Sequence, residues 1–312
     1  MLNRRHIRVK VMQSIYALVQ SKSDNLDKEE KFIHHSIDKI YDLYILMLSL
    51  LVEVRNLADT HLEIGKKKFL ATSEDKNPNQ KFIKNRVLLI LDESKFLSDY
   101  LKDHKIKNWK EDSEYVRVIW DEIKDSEIYE TYINSEKLSF NDDREFISTI
   151  FKEIIAPNDK LFDYLESQCL SWVDDIPFVN TAVLKMFSRL SQSKGFIYEP
   201  LYSNEEDKEF VSDLFKKAVL HHIEFDEDID KKTPNWDADR IAEIDSILMK
   251  MALTEFVYFP SIPVRVTINE YIEIAKDYST SKSGFFINGV LDKISKEYTA
   301  SGKLKKIGRG LL

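Results

Sequence analysis

Apolar residues recur at steps of three and four along almost the whole chain, the spacing that lines one face of a helix. Ile7, Val11, Ile15 and Leu18 predict an amphipathic helix over 6–21. Ile33, Ile37, Ile40, Tyr44, Met47 and Leu51 form the stripe of one long helix over 29–64. Another helix starts after Pro78 and runs through "PNQKFIKNRVLLILDESKFLSDYLKD". The same period places helices over 112–134, 142–155, 158–170, 177–190, 206–223, 237–258, 263–278 and 282–298. No stretch reads convincingly as a strand. Loops fall near 65–79, 135–141, 191–205 and 226–236. The expected fold is all-α.

An offset of 64 residues aligns part of the chain with itself. "FISTIFKEII" from Phe146 lies over "FVSDLFKKAV" from Phe210, and without a gap Trp172 meets Trp236 and Asp175 meets Asp239. Two amphipathic helices of one period always align somewhat, so duplication and coincidence both stay open. Under either, the reading is of stacked helical units.

Composition agrees. Only 7 Gly and 7 Pro interrupt 312 residues, which suits long helices with short links. With 43% hydrophobic and 32% charged residues, the chain builds a core and a well-solvated surface. The single cysteine, Cys169, excludes an internal disulfide and a thiolate metal cluster and fits a reducing compartment. No secretory leader is expected at the charged start, and "YDLYILMLSLLVEV" is too short to span a bilayer. A soluble, cytoplasmic protein with no membrane role is expected.

Charge sharpens the picture. The chain carries a net charge of -8, yet residues 1–23 hold Arg4, Arg5, Arg8, Lys10 and Lys22 and no acid. Residues 293–312 are basic too, with six cations against Glu297. Two basic ends on an acidic body suggest local contacts to anions. Catalytic signatures are missing: "GFFING" lacks the Lys and Ser/Thr of a phosphate loop, and there is no dinucleotide fingerprint or nucleophile elbow. "HHIEFDED" at 221–228 does not have the spacing of a zinc helix. No enzyme activity, cofactor, metal or small-molecule substrate is expected.

The specific signal lies near the C-terminus, in "WDADRIAEIDSILMKMALTEF", "IPVRVTINEYIEIAK" and "STSKSGFFINGVLDK". These motifs, with the opening "RRHIRVKVMQSIYAL", resemble the NusB family of bacterial transcription antitermination factors. The likeness is close over 236–298 and weaker over 209–223. It implies NusB-like helical bundles, here with an additional helical insertion. The expected divisions are a basic first helix (1–23), an acidic helical insertion or degenerate repeat (24–204), the NusB-like core (205–300) and a basic flexible tail (301–312).

The resemblance implies partners: boxA-like RNA of the ribosomal leader, the ribosomal protein NusE and the RNA polymerase antitermination complex. Arg4, Arg5 and Arg8 match the family's arginine run and are the expected RNA contacts, joined by Lys282, Ser283 and Phe286 at the start of the last helix. Glu243, Glu255 and Tyr258 are the expected protein-partner residues. The long insertion puts the NusE interface in question. A helical scaffold or ribosome-biogenesis factor without direct RNA binding is the alternative. An RNA methyltransferase with a NusB-like domain would need a cofactor-binding sheet that this sequence does not contain. The residues also have structural readings: Pro263 in a first helical turn, serines capping the last helix, and a helix packed close at Gly289.

Overall fold

The computed structural model describes residues 1–312 except 23–24, 69–71, 73–75, 138, 194, 197–198, 234–240 and 312. Trp236 and Asp239, used in the repeat and in the first motif, lie outside the described residues. In chain order the helices are α1 (Arg4–Ser21), α2 (Leu26–Lys66), α3 (Arg86–Asp92), α4 (Lys95–Asp103), α5 (Asn108–Glu111) and α6 (Ser113–Lys124). Then come α7 (Glu127–Asn134), α8 (Phe140–Ile150, continued by a π-helix Phe151–Ile155), α9 (Asp159–Gln168) and α10 (Ile176–Arg189). The rest are α11 (Glu205–Leu220), α12 (His222–Asp230), α13 (Glu243–Tyr258), α14 (Val264–Tyr278) and α15 (Ser283–Ala300). The fold is all-α, with no β-strand among the described residues.

Periodicity located the helices, and capping side chains cut them shorter than periodicity alone indicates. The segment after Pro78 is a turn followed by two helices. Asn85 accepts from the amides of Val87 and Leu88, and Ser94 accepts from Leu97, so each starts a new helix. Ser126 does the same for Tyr129 and divides 112–134. In the opposite sense, the expected loop at 226–236 begins only after α12 ends at Asp230.

The chain divides into two compact units, one of Met1–Ile37 with Pro200–Leu312, the other of Asp38–Glu199. In the first, α13 is central: it packs against α1, α11, α12, α14 and α15. Ile247, Leu248, Met249, Met251, Ala252, Leu253 and Phe256 are all buried, so α13 is enclosed on nearly every side rather than along one stripe. Each of its large side chains contributes about 1.5–3 kcal/mol of burial. The first helix joins this core although about 180 residues of sequence intervene, packing on α11, α13 and α14. Residues 301–311 fold back onto it. Leu304 donates to the Tyr298 carbonyl, and Lys306 Nζ donates to the carbonyls of Glu255 and Phe259 at 2.9 and 3.0 Å. Gly289 meets nothing within 4 Å of a Cβ placed there, so no helix packs against it.

The second unit is built on aromatic residues. Phe82, Trp120, Tyr129 and Phe146 cluster, and Tyr132 stacks on Phe146 at 3.8 Å. Trp109 is buried and donates to the Leu46 carbonyl. The residues paired by the 64-residue offset, Phe146 with Phe210 and Phe151 with Phe215, are buried in their own units. No helix among the described residues is long and apolar enough to cross a membrane.

Candidate nucleic-acid interface

The first helix starts at Asn3, whose side chain accepts from the His6 amide at 3.1 Å. Its first turn holds no acid. Arginines there face the positive end of the helix dipole, which costs each a few tenths of a kcal/mol to about 1 kcal/mol unless anions come from elsewhere. Carboxylates of α11, α13 and α14 supply them. Arg4 Nε donates to Asp207 Oδ1 at 2.9 Å, with its guanidinium 5.0 Å from the Phe210 ring centre. Arg5 bridges to Glu270 with two bonds of 2.9 and 2.8 Å. Arg8 grips Glu255 with two bonds of 2.6 and 2.9 Å.

These pairs differ in depth. The side chain of Arg8 is 3% exposed and that of Glu255 is 0% exposed. Glu255 also accepts from the Tyr271 hydroxyl at 2.8 Å and the Thr267 hydroxyl at 3.0 Å, so its oxygens are fully engaged. Burial opposes the charge on Arg8, but Glu255 beside it prevails and holds its pKa above the usual range. Arg5, by contrast, is 44% exposed. Its Nε and one terminal nitrogen hold Glu270, and these two bonds leave further N–H groups of the fork unused. The hydrogen bond from Arg5 holds the Glu270 carboxyl below its usual range. Burial, then the charges of Arg5 and Lys10, push His6 down to about 4, so its ring is neutral near neutral pH.

An open groove of about 720 Å³ runs past this helix start. Its walls come from Arg4, Arg5, His6 and Arg8 of α1, Ser261 and Pro263 of the link between α13 and α14, and Val266 and Glu270 of α14. Arg309, from the C-terminal tail, lines it as well. The arrangement suits a polyanion: guanidinium groups fixed by carboxylates at one wall, with an apolar patch beside them.

The structure thus brings Arg4, Arg5 and Arg8 together and leaves Lys282, Ser283 and Phe286 outside the groove, at the start of α15. Ser283 is buried, and its hydroxyl donates to Asp245 Oδ2 at 2.7 Å. It also receives the Thr280 amide, while Lys282 occupies the N-cap position without a side-chain cap. Lys282 is exposed and Phe286 half-buried, whereas the neighbouring Phe285 is 86% exposed. Of the expected partner residues, Glu243 is exposed and accepts from Gln20. Tyr258 stacks on His221 at 4.5 Å and bonds to its ring. Glu255 faces α1 and α14 from the interior and serves there as the counter-ion of Arg8. The groove contributor that periodicity did not indicate is Arg309; the signal available was the basic composition of the tail.

The NusB family model matches residues 181–296, a span that covers α11 to most of α15. The transcription antitermination protein NusB of Salinibacter ruber (strain DSM 13855 / M31) is 43% identical over 113 residues, 36% of this chain and 71% of that protein. That of Chloroherpeton thalassium (strain ATCC 35110 / GB-78) is 40% identical over 120 residues, 38% of this chain and 57% of that protein. That of Methylacidiphilum infernorum (isolate V4) is 39% identical over 100 residues, 32% of this chain and 68% of that protein. No solved structure matches the chain. With the motifs of α13 to α15 forming one helical core and two relatives of about 40% identity covered over two thirds of their length or more, the chain belongs to the NusB family.

Proposed function

We propose that this protein is a cytoplasmic, non-enzymatic transcription antitermination factor. It binds boxA-like leader RNA with the ribosomal protein NusE inside an RNA polymerase complex. The single observation that carries the RNA role is the guanidinium row at the positive end of α1, opening onto the groove. Arg5 is the principal surface contact, Arg4 lies beside it, and Arg8 positions the helix start from below. Lys282 adds charge near the start of α15. The exposed ring of Phe285, beside the family's Phe286, suits stacking on an unpaired base. Glu243 and Tyr258 remain the proposed NusE contacts, with Glu255 acting through the helix it anchors.

A scaffold without RNA binding is the second reading, favoured by the carboxylates that already hold Arg4, Arg5 and Arg8. One titration decides between the two. Binding of boxA-like and scrambled single-stranded RNA is followed by fluorescence anisotropy across a salt series. Binding to the boxA-like strand that is tighter than to the scrambled one and weakens with salt supports the antitermination reading. No binding of either at low salt overturns it in favour of the scaffold.

A further inference from the structure

Three of the four arginines lining the groove are committed to carboxylates: Arg4 to Asp207, Arg5 to Glu270 and Arg8 to Glu255. Arg309 is the fourth. It is exposed, lines the same groove, and has no ion-pair partner among the described residues. Its position is not that of a loose tail. Lys306 reaches under the end of α13 to bond the carbonyls of Glu255 and Phe259. Ile307 donates its amide to the Pro260 carbonyl at 3.0 Å. The turn Gly308–Leu311 then presses Gly310 against the same carbonyl, where a Cβ would lie 1.9 Å from the oxygen. Only glycine fits so close an approach, and the contact fixes where the preceding arginine stands.

We propose that the C-terminal tail forms a wall of the RNA groove and that Arg309 contacts the phosphodiester backbone of single-stranded RNA. The inference rests on the RNA-binding reading above and extends it to the other end of the chain. The chemistry follows from the charge arrangement. Phosphate approaching Arg4 or Arg5 shares a cation with a carboxylate, whereas at Arg309 it meets a guanidinium with no competing anion. A phosphate held between Arg5 and Arg309 lies between cations from the first and last segments of the chain. Backbone contact of this kind adds affinity irrespective of base sequence.

The test is the salt dependence of RNA affinity in the full-length protein. Each phosphate contact on a single strand contributes roughly 0.7 to the slope of log affinity against log salt. Arg309→Ala, a surface change that leaves the fold alone, is expected to weaken binding several-fold at moderate salt and to lower the slope by roughly 0.7 for boxA-like and scrambled strands alike. Arg309→Lys keeps most of the slope. Gly310→Ala displaces the turn and reproduces the loss although Arg309 is still present. Lys305→Ala, an exposed tail charge outside the groove, leaves the slope unchanged. If the unaltered protein binds RNA but Arg309→Ala matches it in affinity and slope, the tail is no wall of the site and this inference falls alone. An equal loss for Lys305→Ala also overturns it, because it reports diffuse tail charge. If the unaltered protein does not bind RNA at all, the RNA-binding reading falls first.

Discussion

The two units contain the same small device, used differently. In the first, Asn3 caps a helix whose first residue, Arg4, donates through Nε to Asp207 on α11. In the second, Asn85 caps a helix whose first residue, Arg86, donates through Nε to Asp143 on α8 at 2.6 Å. Both aspartates are buried, and the 64-residue offset of the sequence superposes them. Beyond the shared Asn–Arg start the helices part. Where α1 continues with Arg5 and Arg8, α3 continues with Val87 and Ile90. The comparison teaches that the Arg–Asp clasp is a way to join helices, which either unit needs. The further arginines, and the groove they line, are particular to the first unit.

The largest effect expected from breaking this contrast is at the buried pair. Glu255→Ala leaves Arg8 charged and buried, with Tyr271 and Thr267 unbonded, and is expected to cost about 3–5 kcal/mol in urea denaturation. Replacing both partners with Arg8→Met and Glu255→Leu is expected to recover part of that loss, because no buried charge is then left without its partner, while the hydroxyls of Tyr271 and Thr267 still lack their acceptor. An unchanged unfolding midpoint for Glu255→Ala would mean that the pair does not hold α1 to the core.

The second unit's clasp is the next test. Asp143→Ala removes the acceptor of the Tyr132 hydroxyl, which now donates to Asp143 at 2.7 Å, and the carboxylate that Arg86 Nε engages. The expected cost is about 1–3 kcal/mol. RNA affinity and its salt slope are expected to stay as they are, and a fall in either would show that the second unit shares the binding role.

His6 gives a pH signature of similar size or smaller. Its pKa falls from 6.5 to about 4 on folding. Between those values the unfolded chain binds more protons than the folded one, so stability drops as pH is lowered through this window and levels off below it. The expected loss from this residue is about 2 kcal/mol between about pH 7 and about pH 5. Comparison with His6→Gln isolates it, because the depressed carboxyl of Glu270 acts in the same direction in both proteins. Equal pH profiles would show that His6 is not held neutral.

The smallest change in stability is expected at the surface. Arg5→Ala removes a half-exposed pair worth at most about 1 kcal/mol. Its effect appears in binding, as a slope lower by roughly 0.7. Lost stability with unchanged binding would make Arg5 another clasp like Arg86.

The sequence by itself determined the helices, because a period of three to four apolar residues is a local property that the backbone repeats wherever it is written. It also determined the family, since "IPVRVTINEYIEIAK" and "STSKSGFFINGVLDK" are contiguous. The positions of Asn85, Ser94 and Ser126 were equally open to inspection, and a capping rule applied there would have divided the helices correctly. Tertiary structure alone decided which cation faces what. Arg5 and Arg8 lie three residues apart on one helix, yet one is half-exposed and the other buried. The difference depends on Glu255 and Glu270, some 250 residues away, and on which side of α1 each approaches. The tail was decided in the same way: its basic residues read as solvated charge until the carbonyls of Glu255 and Phe259 engage Lys306 and the Pro260 carbonyl takes the Ile307 amide, which sets Arg309 at the groove. Charge pairing acts through space and depends on burial, so a linear pattern records the cations but not their counter-ions.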